Sequence, residues 1–95
     1  MYVRVVRFTG VSAETMEKLE AQIDAAGGPP PGIPAKALKV LFDESQGTAV
    51  VLQYFATAED MAAGGRAFDA MDAGETPGVR VSVDMCEIKV EREVS

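Results

Sequence analysis

The chain has 95 residues, 47% of them apolar and 25% charged, a composition that excludes disordered and fibrous classes and suits a single domain, residues 1–95, around one core. Fifteen acidic against nine basic residues leave a net charge of −6 with no run of Lys or Arg, which argues against nucleic acid and anionic membrane surfaces as partners. The chain carries one cysteine, Cys86, and no His, Trp or Asn, so no intrachain disulfide, thiolate metal cage or other metal site is expected.

Residues 2 to 8, Tyr-Val-Arg-Val-Val-Arg-Phe, are rich in β-branched and aromatic types and close at Thr9-Gly10, which predicts a strand and a turn. A strand that opens at Tyr2 leaves no room for a secretory leader, and no apolar stretch approaches ~20 residues. A cytoplasmic location is the expectation. Ser12 is placed to cap a helix in which Ala13, Met16, Leu19, Ile23 and Ala26 recur at helical spacing, with Glu14 and Glu17 near its positive end and Gly27-Gly28 as its stop.

The stretch from Gly27 to Pro34 contains four prolines, which remove amide donors and pin φ, and reads as an exposed, semi-rigid loop. Lys36 to Glu44 alternates as a half-buried strand does, Ser45-Gln46-Gly47 turns it back, and Thr48 to Phe55 forms the third strand. Thr57-Ala-Glu-Asp60 resembles a capping box that starts a second helix, with Met61, Gly65, Phe68 and Met71 on one face and an end near Gly74. Gly64-Gly65 costs this helix about 1 kcal/mol per glycine relative to Ala, which close packing against the sheet would offset. Beyond the Thr76-Pro77-Gly78 turn, Val79 to Val90 alternates as a long last strand.

This order predicts an α+β, ferredoxin-like βαββαβ fold: a four-stranded antiparallel sheet ordered fourth, first, third, second, with both helices on one face. Polarity sorts the other face. Val3, Val5, Leu38, Val40, Phe42, Val50, Leu52, Tyr54, Val79, Val81, Val83 and Met85 are expected under the helices. Tyr2, Arg4, Val6, Phe8, Ala37, Lys39, Leu41, Val51, Gln53, Phe55, Arg80, Ser82, Asp84 and Cys86 then form the bare face. Such a face is too apolar to expose, and burial against a second copy makes a homodimer the expected partner, with Arg4 and Asp84 as an ion pair inside it.

The element order, the Pro-Gly-Ile-Pro-Ala-Lys approach to the second strand, the Asp43-Glu44 to Gly47 hairpin and the long last strand together resemble the dimeric α+β barrel superfamily. The resemblance extends over essentially the whole chain. That group includes antibiotic-biosynthesis monooxygenase-like proteins and many small bacterial proteins of unassigned role, and it implies a sheet-to-sheet homodimer. Several members bind haem through a histidine, which this sequence lacks, so no cofactor is expected. The cofactor-free quinone-forming monooxygenases hold phenolic substrates with Asn, Trp, Tyr, His or Arg, of which only Tyr and Arg occur here.

The expected function is small-molecule binding by the homodimer. The candidate ligand-binding residues are Tyr2, Arg4, Val6, Lys39, Gln53, Phe55, Arg80 and Asp84, in a pocket on the bare sheet face. Arg4, Lys39 and Arg80 suit an organic acid or a polyketide-like phenolate, because guanidinium groups meet carboxylates in a planar, bidentate way; salt bridges across the dimer interface are the competing use. Two alternatives stand beside this reading: a cofactor-independent monooxygenase or related enzyme acting on an aromatic or polyketide-like substrate, and a structural or regulatory dimer without a ligand.

Overall fold

The six elements that the sequence predicts are present in the computed structural model, which describes residues 1–27, 33–69 and 77–94. The elements are β1 (Tyr2–Thr9), α1 (Ala13–Ala26), β2 (Ala37–Asp43), β3 (Thr48–Phe55), α2 (Ala58–Asp69) and β4 (Val79–Glu87). The Ser12 side chain accepts the Thr15 amide at the start of α1, and Gly27 takes the left-handed conformation (φ 69°) that ends it. Thr57 Oγ1 accepts the Asp60 amide and caps α2 in the same way. The expected end of this helix near Gly74, Met71 on its face and part of the Pro-rich loop lie outside the described residues.

The sheet is ordered β2-β3-β1-β4 with every neighbouring pair antiparallel. This is the ferredoxin-like order expected from the sequence. β4 ends at Glu87, shorter than its alternation suggested. The β2–β3 turn is closed by Asp43, whose carboxylate accepts Ser45 Oγ at 2.6 Å and Gln46 Nε2 at 2.9 Å. The Val11 amide donates to the Gly47 carbonyl at 2.9 Å and ties the start of α1 to that turn.

The strand registers arrange the side chains in rows across the sheet. On the covered face, one row runs Phe42, Ala49, Phe8, Arg80; the next Val40, Val51, Val6, Val83; and the next Leu38, Gln53, Arg4, Met85. Opposite them lie the rows Leu41, Val50, Arg7, Ser82; then Lys39, Leu52, Val5, Asp84; then Ala37, Tyr54, Val3, Cys86. Val6, Phe8, Val11, Met16 and Ala49 form one buried apolar cluster, and Ile33, Phe55 and Met61 a second, joined by Tyr2 and Phe68.

These rows correct the sorting by polarity. β2 faces as expected, and so do Val83 and Met85, but β1 and β3 are turned over: Tyr2, Arg4, Val6, Phe8, Val51, Gln53 and Phe55 lie on the covered side, and Val3, Val5, Val50, Leu52 and Tyr54 on the bare side. Val5 pairs with Leu52, so β1 and β3 turn over together, whereas β2 and β4 meet them one residue out of the expected parity, Val40 opposite Val51 and Val83 opposite Val6, and keep their expected faces. A bulge in β4 adds a second correction. Arg7 pairs with Ser82 and Phe8 with Arg80, so Val81 is skipped and Arg80 moves to the covered side. Val79 and Val81, expected under the helices, are exposed.

Candidate functional site

Arg4 stands in the middle of β1 and is only 3% exposed. Its aliphatic stem lies in the covered layer, and its guanidinium has the partners that a buried charge requires. Nη1 donates to Gln53 Oε1 at 2.9 Å and Nη2 to Asp69 Oδ1 at 3.0 Å. The Phe68 ring lies 5.4 Å from the guanidinium carbon, within cation–π range. Nε is buried and has no hydrogen-bond partner among the described residues.

Asp69, the last described residue of α2, takes a second cation through the same oxygen: Arg80 Nη1 donates to Oδ1 at 2.7 Å. Exposure rises along this chain of contacts, from Gln53 and Arg4, both buried, to Arg80 at 47% and Asp69 at 56%. The seam therefore has a closed end at Gln53 and a mouth at Asp69 and Arg80. The hydrogen bond from Arg80 holds the Asp69 carboxyl below the usual carboxylate range, and the charges of Arg4 and Arg80 lower it further. Burial pushes the Arg4 guanidinium down from its ordinary value, Asp69 draws it back up, and Arg80 repels it; a guanidinium stays charged throughout.

Two adjacent glycines let α2 come this close. A Cβ on Gly64 would lie 2.5 Å from Phe55 Cε1, and one on Gly65 would lie 3.1 Å from Met85 Cε and 3.5 Å from Arg4 Nε. The helix-propensity cost of the pair is thus offset by a fully buried Phe55 ring and by room for the Arg4 head group.

Of the residues singled out in the sequence, Tyr2, Arg4, Val6, Gln53, Phe55 and Arg80 share one face, but it is the covered one. Lys39 and Asp84 lie on the opposite side, at the two ends of one row. Lys39 Nζ is 5.5 Å from the centre of the Tyr54 ring, which is half-buried on the bare side instead of in the core. The expected Arg4–Asp84 pair does not form, because Asp84 is in register with Val5 and points away from Arg4. The acid that meets Arg4 is Asp69, which sequence reasoning missed. Its signal is the spacing: Asp69 follows Gly65 by four positions and so shares the helix face on which the glycines meet the sheet.

Among the described residues no group of His, Cys, Asp or Glu is arranged to hold a metal ion, and no helix is long and apolar enough to cross a membrane. A shallow depression of about 220 Å³ lies on the bare side beside the hairpin, lined by Arg7, Leu41, Asp43 and Val50 among others.

No protein-family model matches the chain, and no curated protein sequence matches it. Among solved structures, the crystal structure of an arginine-to-serine variant of MhuD, with two manganese protoporphyrin IX molecules bound per active site, is similar to it: the TM-score is 0.59 and the identity 16%, over 100% of this chain and 99% of that one. At that identity the likeness is one of fold. This chain and MhuD share the same ferredoxin-like arrangement.

Proposed function

We propose that the chain is a small-molecule-binding homodimer of the antibiotic-biosynthesis monooxygenase-like superfamily. In this reading it takes a planar organic acid or phenolate at the mouth of the Arg4 seam and meets its copy through the bare sheet face. The observation that carries the ligand site is the charge balance. Among the described residues, two guanidiniums share one carboxylate oxygen, which leaves an excess of positive charge at these three side chains in a chain of net charge −6. A buried donor without an acceptor costs about 1–3 kcal/mol, and among the described residues Arg4 Nε is such a donor. Phe68, half-buried beside the guanidinium, adds an aromatic surface for a flat ligand.

The fold shared with MhuD supports a planar ligand class, but haem ligation by imidazole or thiolate does not fit. The chain has no histidine, and Cys86, in register with Val3, is on the other side of the sheet from Arg4. The organic acid is therefore the ligand class that the residues favour.

The dimer rests on the bare side, where Val3, Val5, Leu41, Val50, Leu52 and Tyr54 form a contiguous apolar surface that no described helix covers. Lys39 and Asp84 stand at opposite ends of one row, about 14 Å apart from the strand spacing. A two-fold axis running along the strands would set Lys39 of one copy over Asp84 of the other, whereas an axis across the strands would stack like charges.

Native mass spectrometry of protein purified without added ligand, followed by titration with 2-naphthoate, tests both parts. The expected result is a dimer that retains or takes up an aromatic acid. A monomeric mass at micromolar protein would overturn the dimer. A dimer that neither retains an organic acid nor binds 2-naphthoate would overturn the ligand site and leave the purely structural alternative. Oxygen-dependent consumption of an anthrone-type phenol would replace the binder with the monooxygenase.

A further inference from the structure

The contacts of Asp69 are unequal in a way that bears on what the seam admits. Only Oδ1 is used, accepting from Arg4 Nη2 and from Arg80 Nη1, and Oδ2 has no partner among the described residues. Each arginine therefore offers a single nitrogen to this carboxylate, although a guanidinium can present two parallel donors to one carboxylate. Arg4 divides its two terminal nitrogens between Gln53 and Asp69, and Arg80 uses Nη1 alone among the described residues.

The two arginines also differ in what they can give up. Arg4 is buried, and removing its carboxylate would leave a charge without compensation in the protein interior. Arg80 is 47% exposed and water can solvate it when its partner leaves. Exchange at Arg80 is accordingly far less costly than exchange at Arg4.

Resting on the organic-acid reading above, we propose that Asp69 is an internal competitor that sets the specificity of the seam: an incoming carboxylate takes the fork of Arg80 from Asp69, while Asp69 stays on Arg4. The exchange replaces one single-nitrogen contact by a bidentate one. It also brings two carboxylates to two guanidiniums and so neutralises the local excess of positive charge. A neutral phenol or amide of the same shape cannot displace a carboxylate from Arg80, so Asp69 selects acids over their neutral analogues. Asp69 acts here as a specificity-determining residue, with no part in any chemical step.

The test compares 2-naphthoate with 2-naphthamide on the wild-type dimer and on Asp69→Asn, by titration calorimetry. Asparagine keeps a carbonyl for Arg4 but gives up the charge that competes at Arg80. We expect 2-naphthoate to bind Asp69→Asn about tenfold more tightly than wild type, equivalent to about 1.4 kcal/mol, 2-naphthamide to gain by a larger factor so that the preference for the acid narrows, and Arg80→Gln to lose the naphthoate site; a preference that does not narrow overturns the selection. Equal or weaker naphthoate binding by Asp69→Asn, with wild type still binding, overturns the competitor role and leaves the ligand reading intact. Absence of naphthoate binding by both proteins overturns both. Should Asp69→Asn fail to fold, the wild-type side-chain carboxyl carbon of Asp69 supplies the readout by NMR: its resonance shifts on saturation with 2-naphthoate if Arg80 leaves it, and a resonance that does not move overturns the exchange.

Discussion

The two faces of the sheet solve opposite problems. The covered face has its partner within the chain and places its polar groups in the middle of the layer, where Arg4 and Gln53 separate two apolar clusters. The bare face carries Val5 and Leu52 at its centre and keeps Lys39 and Asp84 at its edges. An apolar centre with charged edges is the pattern of a surface that meets another surface, with an apolar core and a polar rim. A polar centre inside an apolar layer adds nothing to hydrophobic burial and implies some other use for those groups.

The sharpest way to break this contrast is to empty the covered layer. Phe55→Ala removes a ring with no exposure and should lower the free energy of unfolding by about 3–5 kcal/mol in urea melts. Gly64→Ala drives a methyl to within 2.6 Å of two atoms of that ring. A loss of about 1–3 kcal/mol is expected even after the gain in helix propensity. Gly65→Ala meets only the flexible end of Met85 and the Arg4 side chain, and should sit at least about 1 kcal/mol above Gly64→Ala. Equal costs for the two glycines would show that close approach to Phe55 is not what orders α2.

Arg4→Met leaves Gln53 buried without its donor and should cost about 1–3 kcal/mol. Adding Gln53→Leu should recover most of that loss, since an apolar pair can replace a buried polar one with little penalty. Failure to recover would mean that the seam stabilises the fold and is not held for a ligand. On the other face, Leu52→Lys should abolish the proposed dimer in light scattering and move the monomer's own unfolding by less than about 1 kcal/mol.

The smallest effect is that of pH. The Asp69 carboxyl is lowered in the folded state, so its contribution is fully present above the unfolded value of about 3.9 and is lost as pH falls through the folded value. Since Asp69 is more than half exposed, solvent screening keeps this contribution below about 1 kcal/mol. Acid unfolding of Asp69→Asn should begin from a lower stability and fall less steeply than that of the wild type; parallel curves would show that the ion pair contributes nothing.

How far the chain could be read from its letters follows the same division. Ser12, Gly27 and Thr57 act through neighbours within a few positions, so the elements they bound were visible without any tertiary information. The faces of β1 and β3 were not. In Tyr-Val-Arg-Val-Val-Arg-Phe both parities contain valine, and in Thr-Ala-Val-Val-Leu-Gln-Tyr-Phe four apolar residues stand in succession. Arg4 and Gln53 therefore decided the sorting, and both are polar residues that the fold buries. Mispredictions of this kind are expected where polar residues serve a site instead of the surface.

By itself the sequence determined the order, type and capping of the elements, and with them the sheet topology, because hydrogen-bonded turns and hydrophobic periodicity act over a few residues. Only the tertiary structure decided which side of β1 and β3 is covered, that a bulge at Val81 turns Arg80 toward the helices, and that Asp69 rather than Asp84 meets Arg4. Those choices depend on contacts between residues far apart in the chain, where a buried hydrogen-bonded pair can outweigh the preference of each polar side chain for water.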